Sequence, residues 1–247
     1  MTDPFVKSVH LPPVVETRSG YPWGLPLIAA LADGLELHPS VTYLIGENGS
    51  GKSTLLEAIA VAAGMNPEGG SSNFSFSTRD SHSGLHAAIR LTRGVRRPKT
   101  DFFLRAESLF NAASYLERLA ESPLDGDPLR AYGGRSLHEQ SHGESFLAVM
   151  IHRFGRDGFY LLDEPEAALS TQNCLTCLRR IHELVLEGSQ FIIATHSPII
   201  LAYPESTIYA CSAGGLEQVG YDDAEPVRLT KGFLEAHERF VSQLLAD

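Results

Sequence analysis

Apolar runs of strand length alternate with apolar residues at helical spacing over most of the chain. The clearest unit starts at residue 41. Val41, Tyr43, Leu44 and Ile45 predict a strand for a buried sheet. A loop with glycines at 46, 49 and 51 follows, and a helix resumes through Leu55, Leu56, Ile59 and Ala60, ending near Gly64. The second half repeats the pattern, with a helix over 145–154, a buried strand over 158–163, a long helix over 167–186 and a buried strand over 190–194. This order predicts an α/β fold with a mainly parallel sheet and helices on both faces.

The flanks are less regular. Phe5, Val9, Leu11, Val14 and Val15, interrupted by Pro12 and Pro13, read as N-terminal edge strands of antiparallel type. Residues 21–26 are rich in turn residues and expose aromatic rings, and 27–31 suggest a short helix. Residues 35–37 and 41–45 read as strands around the His38-Pro39 turn. A late hairpin is expected over 208–210 and 216–219, and a terminal helix over 234–245.

Composition shifts between the halves. Residues 66–80 are rich in Gly and Ser, with Phe74 and Phe76 alternating as in a short strand. Phe102 to Leu104 predict a strand. Leu109, Phe110, Ala113, Leu116 and Leu119 predict a helix over 106–119, and 122–134 read as a loop. The expectation is one domain, with a core of 1–64 and 141–247 and a small, partly helical lobe inserted at 65–140. No repeats or heptads interrupt it.

Totals narrow the class. The 247 residues are 43% hydrophobic and 20% charged, with 20 basic against 30 acidic residues and a net charge of −10. That balance argues against coating nucleic acid by bulk charge. It leaves a local basic strip, Arg90, Arg93, Arg96, Arg97, Lys99 and Arg105, that suits DNA or RNA phosphates or an acidic protein partner, or is simply a solvated loop. No apolar run is long enough to span a bilayer, and the first ten residues lack a signal-peptide core, so a cytoplasmic protein without membrane insertion is expected. Cys174 and Cys177 lie in a predicted helix with no second pair, which speaks for reduced thiols over metal or redox use.

Four stretches carry chemistry. Residues 46–53 fit G-x-x-x-x-G-K-S/T, the phosphate-binding loop of P-loop NTPases. Backbone N–H groups of Gly46, Glu47, Asn48, Gly49, Ser50 and Gly51 can cradle phosphate oxygens at a helix N-terminus that also carries Thr54. Lys52 would reach the β- and γ-phosphates, and the Ser53 hydroxyl would bind Mg²⁺. Asp163 ends a buried strand and suits Mg²⁺, while Glu164 can polarise an attacking water. His196 follows another buried strand, where it can meet a γ-phosphate. Ser141-His-Gly-Glu-Ser precedes a helix. Its Ser141 and Gly143 suit an anion, most simply the nucleotide of a partner subunit, or form a plain capping box.

Together these stretches resemble an ABC-type ATPase head. Residues 46–54 match the Walker A loop, 141–145 the signature and 159–164 Walker B with its catalytic glutamate; 167–170 match the D-loop and His196 the switch histidine. The signature departs from the Leu-Ser-Gly-Gly-Gln of transporters. Asp-Glu-Pro-Glu-Ala-Ala-Leu and Ala-Thr-His-Ser-Pro look closer to the soluble branch of structural-maintenance-of-chromosomes, DNA-repair and phage-defence ATPases. Without a coiled-coil arm or nuclease domain, the chain looks like the short stand-alone heads of bacteria. The resemblance implies ATP and Mg²⁺ as cofactors, a homodimer closing head to tail around two ATP, and an effector protein. It puts Glu107 at the Q-loop position as a further Mg²⁺ ligand, and an aromatic ring, Trp23 or Tyr21, against adenine. A transporter ATPase subunit and a nucleotide-gated module with little turnover are the competing uses.

Overall fold

A computed structural model of the chain describes residues 3–13, 19–67, 69–70, 84–106, 140–212 and 214–246. Nine strands occur among them: β1 (Val6–His10), β2 (Leu35–Glu36), β3 (Val41–Gly46), β4 (Arg90–Arg93), β5 (Thr100–Arg105), β6 (Gly158–Asp163), β7 (Gln190–Ala194), β8 (Ser206–Ser212) and β9 (Gly215–Val219). The larger sheet runs β5-β6-β7-β3-β8-β9, parallel except for the β8–β9 hairpin. The smaller is antiparallel, in the order β2-β1-β4.

The continuous apolar runs of β3, β6 and β7 follow from cover on both faces. Alternate residues point to opposite sides. Tyr43, Ile45, Tyr160, Leu162 and Ile193 pack with Phe146, Met150, Cys177 and Ile181 of the helices His142–His152 and Thr171–Leu186. Leu44, Leu161 and Ile192 face Leu55, Leu56 and Ile59 of the helix Lys52–Ala63 and the apolar side of the small sheet. Each fully buried Leu, Ile or Phe contributes roughly 1.5–3 kcal/mol. Buried Gln190 laces the sheets together: Oε1 accepts the N–H groups of Phe5 and Val6, and Nε2 donates to the carbonyls of Val6 and His38.

Several boundaries differ from expectation. β1 is the central strand of its sheet, since Pro12 and Pro13 fall past its end. β4 and β5 lie inside the stretch expected as a lobe, yet β4 pairs with β1 and β5 with β6, so both belong to the core sheets. The short strand at Phe74 and Phe76, most of the helix expected over 106–119 and the loop over 122–134 lie outside the described residues. The helix expected from 145 begins at His142, behind the cap Ser141. The helix expected from 167 is a 3₁₀ turn, Pro165–Ala167, and then Thr171–Leu186, whose cap Ser170 accepts the Asn173 N–H. Two helices end the described chain, Glu225–Glu235 and His237–Leu244, parted at Ala236. No described helix is long and apolar enough to cross a membrane.

Candidate active site

The carboxyl ends of β3, β6 and β7 lie side by side, where open α/β sheets bind ligands. At the end of β3 the chain turns at Gly46 (φ +139°) against Cys211 of β8. A Cβ there would stand 2.2 Å from the Cys211 carbonyl oxygen, so only glycine fits. Lys52, 4% exposed, folds back over the loop: Nζ donates to the carbonyls of Gly46 (2.6 Å) and Glu47 (2.9 Å). Burial lowers its pKa from 10.5, while Cys211, Glu164, Asp163 and Glu166 pull it back up. The Ser53 hydroxyl donates to Asp163 Oδ1 at 3.0 Å. Asp163 Oδ2 holds Arg105 Nε at 3.2 Å, and Arg105 also reaches Glu57 at 3.5 Å. Arg105 thus lies against the Asp163 carboxylate.

Two hard oxygens, from Ser53 and Asp163, are a donor set suited to Mg²⁺, which takes few protein ligands and fills its shell with water and phosphate oxygens. Among the described residues no cluster of three or more His, Cys, Asp or Glu forms a complete metal cage. Glu107 lies outside the described residues.

A cavity of about 590 Å³ opens beside the loop, lined by Gly46, Glu47, Asn48, Glu164, Glu166 and His196, and by Glu225, Pro226, Leu229 and Thr230 of a C-terminal helix. Glu164 holds a left-handed backbone (φ +49°), with its N–H on the Ala194 carbonyl. A second cavity of about 450 Å³ flanks the loop's other side, reaching Pro26, Ala210 and Ser212. Ser50 Oγ and His196 Nε2 are buried without a hydrogen-bond partner. Such atoms cost about 1–3 kcal/mol each until a ligand satisfies them, and phosphate oxygens can serve the hydroxyl and a ring N–H.

Two contributors are absent from the sequence reading. Glu166 accepts the Thr195 hydroxyl at Oε2 (2.7 Å) and the His196 N–H at Oε1. The helix Glu225–Glu235 brings Glu225 to both cavities. The spacing of Glu166 three residues after Asp163 was a signal for the first; nothing local marked the second.

Tyr21 and Trp23 separate. Trp23 is half-buried against the core beneath the small sheet. Tyr21 is 72% exposed, with its hydroxyl 3.0 Å from Thr54 Oγ1. Of the two rings expected near adenine, Tyr21 is the exposed one beside the 46–53 loop and Trp23 the half-buried one. Ser141 and Gly143 line neither cavity. Ser141 forms a full capping box with Glu144. Gly143 packs on the D-loop, where a Cβ would meet the Ala168 carbonyl at 3.0 Å.

A family model described as "AAA domain, putative AbiEii toxin, Type IV TA system" matches residues 41–119, about a third of the chain. The hemin import ATP-binding protein HmuV of Rhizobium meliloti is 26% identical over 200 residues, 73% of this chain and 75% of that one. The ribose import ATP-binding protein RbsA of Burkholderia pseudomallei is 29% identical over 211 residues, 74% of this chain; the match spans only 39% of that longer protein. Among solved structures, the SMC head domain from Thermotoga maritima is 16% identical, with a TM-score of 0.44, covering 87% of this chain and 98% of that one. The ATP-binding relatives align over most of a chain in which the stretches resembling Walker A, the signature, Walker B, the D-loop and the switch stand in that order. Over most of its length the chain is thus similar to the ATP-binding domains of ABC proteins.

The basic strip is largely engaged with the chain's own fold. Arg96 Nη2 and Lys99 Nζ grip Asp157 at 2.5 and 2.8 Å, and the Arg96 guanidinium lies 4.8 Å over the Phe5 ring. Arg93 donates to the Ala62 carbonyl, and Arg90 to those of Ala87 and Ile89. Arg97 is exposed. Lys99, then the wider cationic surroundings, hold the Asp157 carboxyl below its usual range. A carboxyl whose folded pKa is depressed stabilises above its unfolded value, near 4, and loses that contribution as pH falls through the folded one. Asp157→Asn is therefore expected to lower Tm by about 1–3 °C at pH 7. In paired thermal melts the gap should narrow as pH drops below 4.

Proposed function

We propose that this domain binds Mg·ATP across the Walker loop and hydrolyses it, as a head-to-tail dimer that drives a partner. The observation that carries the reading is the convergence of Lys52, the Ser53–Asp163 pair, Glu164 and His196 at three adjacent strand ends. Lys52 and the loop N–H groups would hold the phosphates. Ser53 and Asp163 would hold Mg²⁺, which neutralises charge on them. Glu164 would polarise water on the γ side, and the unpartnered His196 Nε2 would donate to the γ-phosphate. Ser141 and Gly143, which line neither cavity, would face the nucleotide of the second copy once ATP closes the pair. Glu144 must then share the Ser141 hydroxyl.

The family description, with its toxin–antitoxin wording, and the form of the signature support a role in defence or nucleic-acid repair, in the cytoplasm. With most of the basic strip paired internally, DNA or RNA would have to meet Arg97 and whichever of Arg90, Arg93, Arg96 and Lys99 keep donors to spare. The import proteins among the relatives support a second reading, a transporter's ATPase subunit. Stable co-purification with an integral membrane protein would favour it.

Phosphate release from ATP tests the core proposal. It should require Mg²⁺, stop with EDTA, and in Ser53→Ala need about tenfold more Mg²⁺ for half-maximal rate. Turnover indifferent to EDTA would contradict it.

A further inference from the structure

We propose that Glu166 is the positioning residue of the switch histidine, so that the Walker B turn and the switch loop act as one body. The inference rests on the hydrolysis reading for its kinetic consequence, but its geometry stands apart.

Both oxygens of the carboxylate are committed. Oε2 accepts the Thr195 hydroxyl, and Oε1 accepts the His196 backbone N–H. The Thr195 hydroxyl oxygen also takes the Ser197 N–H at 3.0 Å, so three consecutive residues hang from one side chain. From the other direction, the Glu164 N–H is bonded to the carbonyl of Ala194, the last residue of β7. The turn and the loop are thus laced together at two points across the β6–β7 ends.

A carboxylate is a costly choice for a spacer here. The cavity already carries Glu47, Glu164 and Glu225, and a triphosphate would be repelled by a fourth negative group. What a carboxylate alone supplies is two acceptors in one plane, for a hydroxyl and an N–H at once, in charge-assisted bonds that hold geometry tightly. The His196 ring, by contrast, keeps Nε2 unpartnered and buried. Its backbone is pinned while its reactive atom is left open.

Glu166→Ala should lower kcat about 10–100-fold, the usual cost of a small misplacement at a reacting centre, with KM for ATP moving less than twofold. Glu166→Gln keeps one acceptor for the His196 N–H, and the Thr195 hydroxyl can rotate to accept from the amide. It should recover most of that loss. If Glu166 works through His196, Glu166→Ala on a His196→Ala background costs less than twofold more. Full additivity in that cycle overturns the proposal. A readout free of turnover is the ring ¹H–¹⁵N resonance of His196, assigned by its loss in His196→Ala. It should be sharp in wild type and Glu166→Gln, and shifted or broadened in Glu166→Ala. An unchanged resonance overturns the positioning role whatever the rates. A resonance that moves in Glu166→Ala as expected, beside a wild type that releases no phosphate, would sink the hydrolysis reading alone.

Discussion

Lys52→Ala is expected to weaken ATP binding at least 100-fold and to remove turnover at working nucleotide concentrations. Lys52 is 4% exposed, and its ammonium sits on the carbonyls of Gly46 and Glu47. Without it, Glu47, Glu164, Glu166 and Glu225 still line the adjoining cavity. A triphosphate would then enter a field of its own sign, and truncating one partner of a buried charge pair commonly costs 2–5 kcal/mol or more. The fold should survive, since burying an ammonium is itself unfavourable, as the lowered pKa of Lys52 records. Titration with a fluorescent ATP analogue reads the affinity directly, and a change under threefold would contradict the assignment.

Glu164→Gln should leave ATP affinity nearly intact and reduce kcat by about 10²–10⁴, the usual contribution of a positioned general base. The backbone is set by its N–H bond to Ala194 and by the left-handed turn before Pro165. Glutamine is nearly isosteric and keeps that turn, so what goes is the carboxylate's pull on water. A drop in kcat without a rise in KM marks an interaction made only in the transition state. The same substitution leaves ATP in place, so a dimer that ATP closes should persist.

Much of this is legible in the amino-acid order. The strand–loop–helix around Gly46, the buried strands ending at Asp163 and Ala194, and the hairpin β8–β9 all rest on local signals: apolar runs, glycine spacing and helical periodicity. What the sequence hid is nonlocal. Asp157 lies some 60 positions from the Arg96 and Lys99 it binds, so a paired cluster read as a free basic strip. β4 and β5 looked like part of an insertion because their partners, β1 and β6, are distant in sequence. Arg105 read as surface charge because nothing local says that parallel pairing sets it opposite Asp163. Glu166 looked like a second acid in a motif until its bonds to Thr195 and His196 were in view. Trp23 and Tyr21 are two residues apart and equally aromatic; packing alone separates the half-buried ring from the exposed one.

The central claim is that a triphosphate joins the Lys52 side of one copy to the Ser141 side of another. Light scattering on Glu164→Gln, with and without Mg·ATP, tests it most directly. The mass should shift from that of the 26.9 kDa chain to twice that value when Mg·ATP is added, and should not shift with ADP. A variant that binds ATP yet keeps the mass of a single chain at every concentration tried would contradict it.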